Sequence, residues 1–165
     1  MDFPNLKKTS FKNITFNLSD LFQKDFNPQY VMKKSSFSES VYDLDIYFSV
    51  EEFTELEAQK IQTNFDGEID LLNAINDNYI LKREESIYNH YSSIKKIVPK
   101  TVKYPGYIQV VEGSSSKNSA TTAYFISTLK IADKYYVFQL IGIQKNMGYL
   151  HDDFISLLSS VKKNK

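Results

Sequence analysis

The chain has 165 residues, 42% apolar and 24% charged, with acidic and basic side chains balanced at 20 each. This describes one globular domain with one expected core and no net field drawing it to nucleic acid or an anionic membrane. The absence of Cys excludes disulfides, thiolate nucleophiles and Cys-ligated metal centres.

Residues Met1 to Lys8 lead into no apolar run long enough for a signal peptide or a membrane span. The chain as given therefore reads as soluble and cytoplasmic; one trimmed of an export signal, periplasmic or lipoprotein-derived, reads the same way. Phe11 to Leu18 has strand composition. Leu44, Ile46, Phe48 and Val50 alternate with Asp43, Asp45, Tyr47 and Ser49, the period of a strand with one buried face and an acidic outer one. Ser49 and Glu52 have capping-box spacing, so a helix is expected from there to about Asn64, anchored by Phe53, Leu56 and Ile61. Asp66 and Gly67 break it, and Ile69, Leu72, Ile75 and Tyr79 continue a helical period, as a second helix or a bent extension of the first.

Residues 81–103 show no clear period, and Pro99 acts as a stop. Tyr107 to Glu112 is a short strand, and the polar run Gly113 to Ser119 is a loop. Ala120 to Ile131 and Tyr135 to Gln144 form a β-hairpin around Ala132, Asp133 and Lys134. The second strand is apolar on both faces, which places it centrally with a helix over each face. From Leu150, the spacing of Phe154, Leu157, Leu158 and Val161 predicts an amphipathic helix. Asn146 is its candidate N-cap, Asp152 and Asp153 sit in its first turn, and Lys162 and Lys163 lie near its end, frayed into the Lys-rich tail. Nothing marks a domain boundary, so residues 1–165 read as a single domain.

The search for chemistry yields little. His90, between Asn89 and Tyr91, has no acidic or nucleophilic motif around it. His151, Asp152 and Asp153 are adjacent, whereas metal pairs on helices use spacings of three or four; a solvated turn accounts for them. Asp43 and Asp45 share one strand face, roughly 7 Å apart, without a second cluster or substrate platform; an exposed acidic face or partner surface accounts for them. The glycines form no phosphate loop, and Gly142 and Gly148 read as turn or close-packing positions. Tyr124, Phe125, Tyr135 and Tyr136 lack the basic surround of a base-stacking surface and read as core. Arg83, the single arginine, reads as a consequence of AT-rich coding. No catalytic, cofactor or metal residue is assigned, and no cofactor is expected.

Residues Ala120 to Lys165, a long strand, tight turn, apolar strand from Tyr135 to Leu140 and amphipathic helix with Phe154, Leu158 and Val161 inward, resemble the C-terminal part of PsbP-like proteins. That resemblance implies an α+β fold: a single-domain antiparallel sheet packed by helices, in its fullest form a three-layer α/β/α sandwich. It also implies protein binding rather than catalysis, since members of the fold include photosystem accessory subunits, a nuclear-import regulator and bacterial chaperones for toxin membrane segments.

The expectation is a non-enzymatic protein-binding module, an accessory or chaperone-like factor for a dedicated protein partner, with no nucleic acid and no membrane span. One alternative is an immunity protein neutralising a secreted toxin, with Asp43, Asp45 and Tyr47 as contacts. The other is a hydrolase built on Asp or His. Neither the partner nor the oligomeric state is legible.

Overall fold

The computed structural model describes residues 6–19, 23–24, 36–41, 46–114, 116–117, 119–143 and 147–165, and for 23–24, 36–41 and 147–149 the backbone alone. In chain order these form β1 (Leu6–Phe11), β2 (Ile14–Ser19), β3 (Gln23–Lys24), β4 (Ser36–Val41), β5 (Ile46–Phe53), α1 (Glu55–Gln62), α2 (Leu71–Glu85), β6 (Tyr88–Ser92), β7 (Lys96–Ile97), β8 (Gly106–Ser114), β9 (Thr122–Ile131), β10 (Lys134–Ile143), α3 (Met147–Ser159) and β11 (Lys162–Lys163).

An eight-stranded sheet runs β3-β4-β5-β10-β9-β8-β6, with β7 also on β8, and every described pairing is antiparallel. The doubly apolar strand β10 lies inside it, between β5 and β9, as its pattern required. Tyr136, Phe138 and Leu140 pack with Phe48, Phe125, Phe154 and Leu158 under α3. Tyr135 and Val137 pack on the other face with Ala58 of α1 and Ile75 and Ile80 of α2. The single core expected from chain length is thus two, one on each face, because a central sheet buried on both sides separates them. The molecule is an α+β sandwich of three layers: α1 and α2, the sheet, then α3 with a small sheet of order β1-β2-β11.

That small sheet corrects two readings. The strand expected from Phe11 to Leu18 is broken by a tight turn at Lys12 and Asn13, with Lys12 in the left-handed region (φ 52°). The tail expected to fray from a helix is instead β11, pairing Lys162 with Thr15 and Lys163 with Ile14. Phe16 of β2 then caps the sheet, its ring 5.4 Å from Phe48 and 5.9 Å, edge-on, from Phe138.

The capping box forms five residues later than Ser49 and Glu52. Thr54 and Glu57 exchange both bonds, each at 3.2 Å, because β5 runs on to Phe53 and Glu52 is held there by the Tyr136 hydroxyl at 2.8 Å. Leu56, expected as an anchor, is exposed on α1. Asp70 caps α2 independently, so the two helices are separate. Helix α3 begins at Met147, which moves Asp152 and Asp153 out of the first turn, and ends before Val161, although Val161 is fully buried. Asn146 lies outside the described residues. Gly142 is a close-packing position: a Cβ there would overlap Leu150 Cδ1.

Candidate functional site

Residues 81–103, unreadable in sequence, finish α2 and then supply one edge of the large sheet. Strands β6 and β7 both pair with β8 and, among the described residues, with no other strand. The register shifts between Tyr88 and Tyr91, around Asn89 at φ 46°. Beyond this bulge the side chains of Tyr91, Ile94 and Ile97 are 68%, 81% and 78% exposed, with Tyr88 also outward. Apolar groups this exposed at every third position along one edge form a patch of the kind used for docking.

The edge is held from behind. Lys95 Nζ donates to Asn73 Oδ1 at 2.5 Å and Asp77 Oδ1 at 3.1 Å on α2, and lies 5.0 Å from the Tyr107 ring centroid. Asn73 donates to the Tyr107 hydroxyl and to Asp70. Ser93 Oγ accepts from the Val110 N–H, and the Ser93 carbonyl accepts from Gln109 Nε2, both at 2.8 Å. With Lys95 turned inward and Ser93 bonded to β8, Ile94 is left pointing to water.

His90 belongs to this edge. Its Nε2 lies 3.2 Å from Glu84 Oε2, the same oxygen that accepts from Ser92 Oγ at 2.9 Å. Serine, histidine and carboxylate are therefore adjacent, but in the wrong order for nucleophilic catalysis. The carboxylate stands between hydroxyl and imidazole, so the imidazole does not receive the serine proton. The arrangement ties the bulge to α2. His151 Nδ1 is 3.5 Å from Asp152 Oδ1, both exposed, with the imidazole against Phe125. Among the described residues no group of three or more His, Cys, Asp and Glu side chains could hold a metal ion.

A cleft of about 260 Å³ opens between β5 and α2, lined by Glu51 and Phe53 on one side and Tyr79, Lys82 and Arg83 on the other. Arg83 is structural: Nε and Nη2 donate to Gln139 Oε1 at 3.1 and 2.8 Å, and the guanidinium stacks 4.5 Å over the Tyr124 ring. Burial pushes the Tyr79 hydroxyl above its usual pKa, an effect the Arg83 charge opposes. The Tyr136 hydroxyl is pushed up by burial and then by its bond to Glu52, and Tyr135 by burial and then by Glu55 and Asp70. These groups stay protonated at neutral pH, and the Tyr136 hydroxyl ties β10 to β5.

Of the sequence-predicted contacts, Asp43 and Asp45 lie outside the described residues. Tyr47 is half-buried in β5, opposite Ser40 of β4 and Ile141 of β10, in the sheet interior rather than at an edge. Sequence reasoning missed the β6–β7 edge. A charge signal was available: from Ser86 to Val111 there is no Asp or Glu, while Lys95, Lys96, Lys100 and Lys103 all fall there. Among the described helices none is long and apolar enough to cross a membrane.

By sequence, no family model and no curated protein matches the chain. By structure it is similar to the Ran-binding protein Mog1p of Saccharomyces cerevisiae, at 9% identity and TM-score 0.64, over 96% of this chain and 95% of that one. Cyanobacterial PsbP (CyanoP) from Synechocystis is similar at 11% identity and TM-score 0.54, over 96% and 92%. A Pseudomonas aeruginosa protein of unknown function is similar at 4% identity and TM-score 0.54, over 97% and 98%. The PsbP-like resemblance read from the last residues thus extends over nearly the whole chain, as a likeness of fold.

Proposed function

We propose that this chain is a non-enzymatic protein-binding module, an accessory or chaperone-like factor for a dedicated protein partner. The observation that carries it is the apolar strip Tyr91, Ile94 and Ile97 at the sheet edge, presented to water on a backbone already fixed by Lys95 and Ser93. The fold supports the reading, since Mog1p is a Ran-binding protein on the same scaffold. A hydrolase would need a proton acceptor for Ser92 other than the carboxylate it shares with His90. Purification of the tagged chain from its native cells tests the proposal: a stoichiometric protein partner is expected, and recovery of the chain alone would count against it.

An immunity protein for a secreted toxin is the same module with a particular partner, and it puts the contact at Asp43, Asp45 and Tyr47. Charge reversal at positions 43 and 45 separates the two surfaces. Loss of partner there, with the Ile94 and Ile97 variants unaffected, would favour the immunity reading.

A further inference from the structure

We propose that the β6–β7 edge receives an extended, acidic segment of a partner protein as an added β-strand. This rests on the protein-binding reading and goes further by naming the mode of docking and the chemistry of the segment.

The first support is the backbone. The Ser93 N–H donates inward to the Val110 carbonyl at 2.8 Å and the Val98 N–H to the Gly106 carbonyl at 3.1 Å. The residue beside each inward-bonded one faces the other way, so the N–H groups of Ser92 in β6 and Ile97 in β7 face away from β8, with the pairing register shifting by one residue between the two strands. Among the described residues no strand lies there to meet them. The edge offers two short segments, the end of β6 at Tyr91 and Ser92 and β7 at Lys96 and Ile97, which an added strand would bridge. The bulge at Asn89 ends the available stretch on one side.

The second support is charge. Lys95 is committed to Asp77, but Lys96, Lys100 and Lys103 are exposed and make no ion pair among the described residues. The acid-free run Ser86 to Val111 puts this positive charge at the β7 end of the edge, whereas the β6 end has Glu84 bonded to Ser92 and Glu112 opposite Tyr91. Exposed Ile94 and Ile97 with the exposed Lys96 between them complement a strand that alternates apolar and acidic side chains. A second copy of this chain fits badly, since edge-to-edge pairing would set the lysines against each other. The preformed edge also lowers the ordering cost of binding.

The probe is a fluorescein-labelled peptide of alternating Val and Glu, compared by anisotropy with its Val and Lys counterpart and with an oligothymidylate of equal charge. The acidic peptide is expected to bind, at least about tenfold more tightly than the basic one, and to weaken as salt rises. Replacing Lys96, Lys100 and Lys103 together by Glu should invert that preference, and Ile94→Ser with Ile97→Ser should weaken binding by about tenfold. Hydrogen exchange should slow at the Ser92 and Ile97 amides when the peptide is bound. All five positions are exposed, and unchanged thermal unfolding of the variants controls for folding.

Equal binding of the two peptides would overturn the proposal, as would no binding at millimolar concentration, oligothymidylate bound as tightly as the acidic peptide, or unprotected Ser92 and Ile97 amides. A native partner captured equally by the wild type and the triple Lys variant would also overturn the edge while sparing the protein-binding module. A missing native partner beside a positive peptide titration would fault only the module.

Discussion

Replacing Arg83 with Met should destabilise the protein by about 2–4 kcal/mol, although no partner or substrate is involved. Gln139 is 3% exposed, and its Oε1 accepts both guanidinium bonds. Leaving that buried acceptor without these donors costs about 1–3 kcal/mol, and losing the stacking on Tyr124 costs about 0.5–2 kcal/mol. Arg83 is only half-buried, so solvent screening trims the upper end of the combined range. For a chain of this length the change corresponds to a fall in Tm of about 5–15 °C. Arg83→Lys keeps the charge but loses the fork and should cost roughly half as much. Urea unfolding of R83M, Q139L and the double variant isolates the contact. The double variant should fall short of the summed single losses by about 1–2 kcal/mol. Strict additivity, or an R83M variant as stable as wild type, would refute a structural role for the only arginine.

Three further outcomes follow from the interior. The hydroxyls of Tyr79, Tyr135 and Tyr136 have folded pKa values above the ordinary 10.0, so stability is fully present below pH 10 and is lost as pH rises from there through the folded values. Chemical unfolding across that range should show the fall, at up to about 1.4 kcal/mol per pH unit for each tyrosine, and a shallower slope in Tyr136→Phe. Thr128 donates to the fully buried Asn76 at 3.0 Å. Thr128→Val should therefore cost about 1–2 kcal/mol in urea unfolding, while Thr128→Val with Asn76→Leu should approach wild type because both polar groups leave together. A Cβ at Gly106 would overlap the Thr128 backbone carbonyl, whereas at Gly142 it meets only the end of the Leu150 side chain. Gly106→Ala should therefore lower Tm more than Gly142→Ala, by calorimetry.

What the sequence revealed followed the strength of its periodicity. Strand β10 and helix α3 have apolar residues at unbroken spacings of two and of three or four, and both formed at the place the spacing gave, although α3 stops at Ser159, short of Val161. The β1–β2 turn was hidden because its left-handed residue is Lys12 rather than Gly or Asn. Two Ser/Thr-x-x-Glu spacings compete between residues 49 and 57, and the cross-strand bond from Tyr136 to Glu52, a contact between residues far apart in sequence, decides for the second. The same holds for Lys162 and Lys163, which read as a helix end until β2 is placed beside them. The candidate site lay in the least legible stretch for a physical reason. An edge that shows isoleucines to water and turns a lysine inward breaks the hydrophobic pattern by which strands are recognised.

Photocrosslinking in the native cells, with a photoreactive residue at Ile97 in one strain and at the exposed Leu56 of α1 in another, tests the central claim most directly. A single protein adduct from position 97 and none from position 56 is the predicted result. Adducts of equal yield from both positions, or none from position 97, would contradict it.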